Sequence, residues 1–425
     1  MPIKGKTIAH IVVVIFVVAV LSFLFQSKDM PIEKSEKRSK KFEVHDSYVC
    51  GYKDGEICWK IKADYIWSGR SNFLFRAERI TTGKLYGSKG RLILDNLKAS
   101  SIKANSRSKT LSAYGNISGY FVQTKNGKDI NEKTTKKYSH VSAAELKYYR
   151  FSNKMYLKKG VVLKRKDSII KPKHDLEIDC ELNHAYIRDG FRLDSEEIEA
   201  SANYMTIYID DDYAEVSGNI KIKRKVEPCK GVAGYDAREL SLRSEPTYLS
   251  CNIIKHNKKD TNDIVEAFGN IEVIQGTKKI KAQMGYYNKK DKFFKLWDGV
   301  EFWTESLGWI VDKTKKEGFN NQRITDAIDR PAKITCETIK FDAKEKKLIL
   351  TGDVFFKQDD YSIKCRRVEF NDKESTIRLI GKVRIINIKE GQTLKCDLLD
   401  INIENESFEA DKGTEVFFEI EKTPK

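Results

Sequence analysis

The stretch "ITCETIKFDAKEKKLILTGDVFF" (residues 334–356) contains a small residue, Cys336, and a glycine, Gly352, that follows it by 16 positions. Apolar and polar residues alternate on both sides of the charged segment "DAKEKK". Such alternation is typical of half-buried β-strands, and two alternating runs around a polar segment predict a hairpin. The stretch therefore predicts a strand, a turn and a returning strand.

The same spacing recurs along the chain from about Val44 onward. In most copies a small residue precedes a glycine by 16 or 17 positions, and two further copies are looser or shortened. The pairs are Cys336 and Gly352, Cys365 and Gly381, Cys396 and Gly413, Ala202 and Gly218, Ala282 and Gly299, Ala144 and Gly160, the looser Cys251 and Gly269, and the shortened Ala104 and Gly115. A recurring period of this kind indicates stacked structural repeats.

Two features predict that each hairpin is bent. The step from Cys336 to Ile339 is three positions, so both side chains point inward only if a bulge or sharp bend lies between them. Gly352 in the middle of the returning strand predicts a second bend. Hairpins that are bent twice and stacked every 29 to 31 residues, as from Cys336 to Cys365 to Cys396, predict an elongated, open, two-walled all-β sheet with an apolar inner face.

The amino-terminal segment 8–25, "IAHIVVVIFVVAVLSFLF", is apolar apart from His10 and Ser22. At 1.5 Å per residue its 18 residues form a helix of roughly 27 Å, which is just long enough to cross a bilayer. A cleaved signal peptide is the alternative, but no Ala-x-Ala-like cleavage site follows. We expect residues 1–7 to form a cytoplasmic tip, 8–25 a transmembrane anchor and 26–45 a polar linker, although the lysines after the anchor count against this orientation.

The formal charge of +16 comes from 78 Lys and Arg against 62 Asp and Glu. This excess permits nucleic acid, anionic lipid or a phosphorylated glycan as a partner, but it requires none of them. Basic and acidic residues are interleaved along the chain rather than clustered, which favours lysine-rich solvent-exposed strand faces. The G-x-x-G motif "GVAG" at 231–234 is too weak to indicate nucleic acid, so we predict no nucleic-acid partner.

The segment "PAKITCETIKFDAKEKKLILTGDVFFKQDDYSIKCRRVEF" (331–370) resembles the OstA-like, or LptA-like, repeats of lipopolysaccharide-transport proteins. The segment "YKDGEICWKIKAD" (52–64), which follows a single apolar anchor, resembles the LptC type of that family. The resemblance covers most of the chain after the linker and is strongest from about 243 to 418. The chain is far longer than a usual LptC domain, which suggests an LptC-like module at 46–242 followed by OstA-like repeats at 243–425.

The resemblance implies a β-jellyroll whose apolar groove shields lipid acyl chains. It implies an inner-membrane, single-pass protein with its large domain in the periplasm. Such a protein accepts lipopolysaccharide from an inner-membrane ABC exporter complex. It passes the lipid toward the outer membrane through a periplasmic bridge or an outer-membrane translocon protein, which it contacts by end-to-end strand addition. It needs no cofactor and catalyses no reaction.

The apolar residues of the alternating runs are the predicted groove residues. They are Ile220, Ile222, Ile271, Val273, Ile339, Phe341, Leu350, Val354, Phe356, Val368, Phe370, Leu379, Val383 and Ile385. The final run "TEVFFEIEK" predicts a strand edge for a partner, with Val416, Phe418 and Ile420 toward the groove.

Five of the eight cysteines, Cys180, Cys251, Cys336, Cys365 and Cys396, precede apolar residues in the way the repeat alanines do, which predicts small buried side chains. Cys50 and Cys58 flank a turn instead. A three-residue loop at 53–55 would place them opposite each other, where a disulfide is possible. A two-residue Asp-Gly turn would pair residue 51 with residue 58 and exclude that disulfide.

Two other classes of function stay open. An anchored structural or adhesive β-solenoid would have the same repeats around a continuous filled core. An enzyme on a β-helix, such as a polysaccharide lyase, would need a cluster of carboxylates or bases, and the sequence contains none. C-x-x-C, H-x-H and H-E-x-x-H motifs are also lacking, so we predict neither a metal site nor catalytic residues.

Overall fold

The computed structural model describes residues 42–68, 73–87, 90–122, 139–165, 167–226, 244–259, 262–306, 330–403, 407–411 and 413–418. Within these ranges every regular element is a β-strand, as the alternating pattern predicts. No helix in these ranges has the length and apolar character needed to cross a bilayer. The predicted anchor at 8–25 lies outside the described residues.

The described residues form 26 strands. In the first half these are β1 Phe42–Lys53, β2 Glu56–Ser68, β3 Leu74–Tyr86, β4 Leu92–Asn105, β5 Thr110–Phe121, β6 Ser139–Tyr149, β7 Lys154–Lys158, β8 Val162–Arg165, β9 Ser168–Pro172, β10 Leu176–Asp179, β11 His184–Ile187, β12 Phe191–Asp194, β13 Ile198–Ala202, β14 Tyr204–Tyr208 and β15 Tyr213–Arg224. In the second half they are β16 Thr247–Lys259, β17 Asn262–Gln275, β18 Lys278–Asn288, β19 Phe293–Thr304, β20 Ala332–Asp342, β21 Lys347–Gln358, β22 Tyr361–Asn371, β23 Thr376–Asn387, β24 Gln392–Asn402, β25 Ser407–Asp411 and β26 Glu415–Phe418.

All pairings in the sheet are antiparallel, and each long strand pairs with the one before it and the one after it. In five places two short strands take the place of one long strand, and these places are β7 and β8, β10 and β9, β11 and β12, β14 and β13, and β25 and β26. β7 and β8 both pair with β6, β13 and β14 with β15, and β25 and β26 with β24. The described strands therefore form one continuous antiparallel zigzag. We call each long strand, or each pair of short strands in its place, a rung, and the rungs are bent near their middles.

The bend coincides with a bulge in the strand that carries the repeat glycine. Between β20 and β21 the register shifts after the pair Thr335 and Phe355, and between β21 and β22 it shifts after Thr351 and Arg367. In both pairings the extra residue belongs to β21 and lies in the Gly352–Asp353 pair. The bulge predicted from the step between Cys336 and Ile339 is present, but it is contributed by the glycine strand.

The bulge is built from two successive residues in the left-handed region. Gly352 has a φ of 81° and Asp353 a φ of 41°. Glycine adopts this region without a steric penalty, and Asn and Asp tolerate it better than other residues do. The same two-residue device occurs at Gly115 and Asn116, Lys159 and Gly160, Gly218 and Asn219, Gly269 and Asn270, Asp298 and Gly299, and Gly381 and Lys382.

Two of the sequence pairs are corrected by the structure. Ala144 is exposed, and its neighbour Ala143 is the buried small residue 16 positions before Lys159. Gly115 lies at the bend beside Ser100, so the matching small residue is Ala99, 16 positions earlier, and the copy is not shortened. Alanine occurs at so many positions that spacing alone selected the wrong one in both copies.

The arrangement that a Cys50–Cys58 disulfide requires is not formed. Asp54 and Gly55 form a two-residue turn in which Lys53 pairs with Glu56, and a bulge then places Cys50 opposite Lys60. Both thiols are free, and the buried Cys58 Sγ accepts a hydrogen bond from Arg150 Nε at 3.2 Å. Because Asp and Gly both adopt positive φ, the shorter turn is the favoured one.

The strands bear on two of the predicted segment boundaries. β1 begins at Phe42, within the segment 26–45 that was expected to be linker. The predicted module boundary between residues 242 and 243 lies outside the described residues. The strands before and after it, β15 and β16, pair through ten residue pairs.

The bend gives a direct test of the fold. We expect Gly352→Ala to lower the free energy of unfolding by about 1–2 kcal/mol, because a side chain at positive φ is strained. A Cβ there would also lie 2.5 Å from the Glu337 Cβ. Asp353→Gly keeps the bulge and should change stability by less than about 1 kcal/mol. Urea denaturation measures both changes, and equal destabilisation by the two variants would contradict the proposed role of the bend.

Candidate functional site

The bends divide the sheet from β15 to β26 into two walls with a common apolar inner face. Wall A contains the half-strands next to turns such as 343–346, and wall B contains the half-strands on the other side of the bend. On each wall the inner residues form a base row next to the bend and an upper row farther from it. Cross-strand pairing runs along each row from one rung to the next.

The base row of wall A contains Val216, Ile254, Ala267, Gly285, Leu296, Ile339, Leu350, Val368, Leu379, Leu399 and Ala410. Its upper row contains Ala214, His256, Val265, Tyr287, Phe294, Phe341, Leu348, Phe370, Ile377, Ile401 and Phe408. The base row of wall B contains Ile220, Cys251, Ile271, Ala282, Val300, Cys336, Val354, Cys365, Val383 and Cys396. Its upper row contains Ile222, Leu249, Val273, Ile280, Phe302, Ile334, Phe356, Ile363, Ile385, Leu394 and Val416.

The packing of the base row of wall B explains why cysteine recurs at the same position of the repeat. Along the row a β-branched residue from each glycine strand alternates with Cys or Ala from the next strand. All ten side chains are buried. A large residue on every rung would overfill this corner, and alternating large and small side chains lets them interdigitate.

Burial makes these thiols poor nucleophiles. It raises the pKa of Cys336 to about 12 and the pKa values of Cys251 and Cys365 to about 11, and it also raises the pKa of Cys396. Only the thiolate is reactive, so these cysteines act as small apolar side chains. The interpretation drawn from their spacing agrees with where they lie.

The base rows and the upper rows differ in exposure. Val383 is 1% exposed and Leu350 is 6% exposed, and both belong to the main hydrophobic cluster. On the upper rows, Phe341, Phe356 and Phe370 are only half-buried, as are most of their neighbours, although Phe302 is buried. Walls that meet at a packed base and separate above it form a V-shaped groove whose upper inner surface is apolar and accessible.

The amino-terminal part of the sheet lacks this accessible surface. From β2 to β11 most inner residues of both walls are buried, and only a few, such as Trp59, Phe75 and Ile170, are half-buried. Fully buried examples are Leu85, Ile93, Leu94, Leu111, Leu146, Tyr148, Met155 and Leu157. Tyr148 donates a hydrogen bond to the Tyr86 carbonyl oxygen at 2.8 Å, which pairs its buried hydroxyl group. This section is a filled core, and the open groove begins after it.

The fourteen predicted groove residues all lie on the four inner rows. Ile339, Leu350, Val368 and Leu379 lie on the base row of wall A, and Phe341 and Phe370 on its upper row. Ile220, Ile271, Val354 and Val383 lie on the base row of wall B, and Ile222, Val273, Phe356 and Ile385 on its upper row. Eight of the fourteen residues therefore pack at the base, and the accessible residues are mainly the six on the upper rows.

The predicted partner edge is the last strand of the sheet. β26 pairs with β24 on one side, and no strand among the described residues pairs with its other side. Val416 lies opposite Leu394 on the inner face and is 52% exposed. Phe418 ends β26, and Ile420 lies outside the described residues.

Sequence reasoning missed a polar row at the rim of wall B. Gln275 Nε2 donates to Thr247 Oγ1 at 3.1 Å, Asn387 Nδ2 to the Tyr361 hydroxyl oxygen at 3.2 Å, and Gln358 Nε2 to the Arg330 carbonyl oxygen at 3.2 Å. In the sequence this polar row is marked by a Thr, Gln or Asn two positions beyond each apolar run. Such residues also occur at the start of turns, so the pattern alone does not identify the row. The rim gives the groove a polar border.

No group of three or more His, Cys, Asp or Glu side chains in the described residues is arranged to hold a metal ion. The closest pairing of a histidine with an acid there is His256 Nε2 with Asp263 Oδ1, 2.7 Å apart, on adjacent strands. The site is thus an apolar surface with polar borders.

Comparison with known proteins adds one match. Residues 255–376 match the family profile described as "LptA/(LptD N-terminal domain) LPS transport protein", which covers a little under a third of the chain. The matched segment runs from β16 to β23, within the open-groove section. A comparison with curated proteins finds no match.

One similar solved structure is the crystal structure of LptH from Pseudomonas aeruginosa, described as the LptA homologous periplasmic component of a lipopolysaccharide transport device. It is 10% identical in sequence, the similarity covers 42% of this chain and 99% of that chain, and the TM-score is 0.20.

The burial of the base-row thiols predicts slow alkylation. At pH 8 a thiol with a pKa of 11 to 12 is thiolate in about one molecule in a thousand or fewer. We expect iodoacetamide to modify the half-buried Cys50 well before Cys251, Cys336 and Cys365, with their rates rising as the pH approaches 11. Peptide mass spectrometry measures the order. Equally fast modification of all four in the folded protein would contradict this assignment.

The two levels of the groove predict different stability effects. Val383→Asp buries a charge at the base and should lower the free energy of unfolding by about 3 kcal/mol or more. Phe370→Asp places a charge on a half-exposed upper row and should lower the free energy of unfolding by only about 1 kcal/mol. Urea denaturation of both variants tests this. Equal decreases in the free energy of unfolding would mean that the upper rows are as closed to solvent as the base rows.

Proposed function

We propose that the protein is a lipopolysaccharide carrier whose acyl-binding surface is the pair of upper rows between β15 and β24. The observation that carries the proposal is the set of half-buried apolar side chains, such as Phe356 and Phe370, above a packed base. The profile match to a lipopolysaccharide-transport family over 255–376 supports the same assignment, because it lies in this section.

The physical basis is the hydrophobic effect. Acyl chains against the upper rows are removed from water, at roughly 25 cal/mol per Å² of apolar surface buried. The two walls leave the top of the groove open, so the lipid can move along it without a covalent step. The protein therefore acts as a carrier that performs no chemistry, and the energy for directional transport comes from a partner.

The filled section from β2 to β11 suits a structural role. Its inner residues leave no space for acyl chains, so in this section the alternative of a filled solenoid applies. We propose that it acts as a rigid spacer that carries the open section, and that the lipid path begins where the open groove begins.

The membrane and partner assignments complete the proposal. Residues 8–25 anchor the chain in the inner membrane with the large domain in the periplasm, as in the LptC type. An inner-membrane ABC exporter supplies the lipid. The free edge of β26 at Glu415–Phe418 offers unpaired backbone groups, which a bridge or translocon protein can extend by strand addition.

Photocrosslinking in living cells tests the carrier function. p-Benzoylphenylalanine replaces Phe356 or Phe370, where its ring occupies the place of the native ring. We expect lipopolysaccharide adducts at both positions. The matched control carries the probe at Lys340 or Lys382, whose exposed side chains lie on the neighbouring strands β20 and β23.

These positions are better suited than Leu350 and Val383, because a bulky probe at the buried base would disturb packing. Adducts that form equally at Lys340 would indicate nonspecific proximity to membranes. A folded, abundant protein without adducts at Phe356 and Phe370 would refute the carrier and favour a purely structural solenoid.

A further inference from the structure

A cavity of about 710 Å³ lies on the outer face of wall B, between β9 and β17. Most of its lining residues share the outer strand face with Lys221 and Lys223, because side chains alternate along a strand. The residues between them on the same strands, Leu193, Ala200, Ile222 and Leu249, also border it. The cavity and the groove are therefore on opposite faces of one sheet. It lies at the rungs where the filled section gives way to the open one.

Five neighbouring side chains on one row of the cavity can donate hydrogen bonds, and the row then ends at Glu272, which lies opposite Ser250. Lys171 lies opposite Arg192, Arg192 opposite Ser201, Ser201 opposite Lys221, and Lys221 opposite Ser250. Like charges directly opposite each other on a sheet are unfavourable, so the Lys171 and Arg192 pair lowers stability unless an anion lies between them. Such a row is suited to an anion with several acceptor oxygens.

The charges of the cavity are unevenly paired. Asp194 and Glu199 both form ion pairs with Lys225, and Glu272 pairs with Lys279. The three acids thus share two cations, Lys225 and Lys279, that do not line the cavity. In contrast, the cavity cations Lys171, Arg192, Lys221 and Lys223 form no ion pair with any described residue. The cavity consequently keeps an excess of positive charge.

The cavity also has an apolar side. Tyr248 lies next to Lys223 and is 47% exposed, and Ile274 lies opposite Tyr248 on β17. An exposed aromatic ring beside free cations suits a ligand that has both an apolar ring face and negative charge. A sugar ring packs one face against Tyr248, and phosphate oxygens accept hydrogen bonds from the Arg192 guanidinium and the lysine ammonium groups.

We propose that this outer cavity is a binding site for a phosphorylated saccharide. The site does not require acyl chains, because it is separated from the groove by the thickness of the sheet. The relevance of this site to lipopolysaccharide rests on the proposed function. The proposal that the cavity binds a phosphorylated saccharide does not depend on that function.

The test is isothermal titration calorimetry on the full-length protein in detergent micelles. The probes are a bisphosphorylated glucosamine disaccharide without acyl chains, the same disaccharide without phosphates, and inorganic phosphate. We expect the bisphosphorylated disaccharide to bind and the other two to bind at least tenfold more weakly. Affinity should fall steeply with salt, because the contacts are electrostatic.

Lys171→Glu/Arg192→Glu should weaken binding at least tenfold, and Tyr248→Ala severalfold. The matched control is Lys340→Glu/Arg384→Glu, which reverses two exposed outer-face charges elsewhere and should leave binding unchanged. Lys221→Gln provides a milder second variant, and circular dichroism establishes that each variant is folded.

Equal binding of inorganic phosphate would overturn the saccharide assignment, and equal loss in both double variants would overturn the location. No binding of the bisphosphorylated disaccharide would refute the site. The groove variant Phe370→Asp should bind this probe normally, so failure of the acyl-binding proposal and failure of this one are distinguishable.

Discussion

The fold depends on one local constraint, the bend at the middle of each rung. A small residue on one strand faces a bulge on the next, and the bulge holds two residues at positive φ, as at Gly352 and Asp353. The bend turns one long strand into two half-strands on two walls. Because the base row of wall B alternates Val or Ile with Cys or Ala, the walls meet closely there.

The difference between a filled core and an open groove follows from what lies above this base. In the amino-terminal section large side chains such as Tyr148 and Met155 fill the space between the walls, and the interior is closed. In the section from β15 onward the base is equally buried, but the upper rows remain half-exposed. The same repeat thus builds a filled core in one half of the chain and an accessible apolar surface in the other.

The two faces of the sheet differ in polarity. The inner face is apolar and nonspecific, which suits chains that must slide. The outer face carries the charge, and many of its lysines pair with acids across neighbouring turns, as Lys344 does with Asp291 and Lys373 with Glu345. Much of the net charge of +16 is therefore a solvent-exposed sheet face, and the unpaired cations near Arg192 differ from that background.

The all-β class, the bent hairpin repeat and the inner placement of residues such as Ile339 and Phe370 follow from the sequence alone, because side-chain alternation and glycine spacing are local properties. Spacing does not show which alanine lies at a bend, since Ala143 and Ala144 differ only in which side of the strand they face. The residue opposite Cys50 likewise depends on the geometry of the turn at Asp54 and Gly55. The filling of the rows up to β11, their opening after β15 and the meeting of Lys171, Arg192 and Lys221 are visible only in the folded chain, because they depend on what distant strands place opposite each residue.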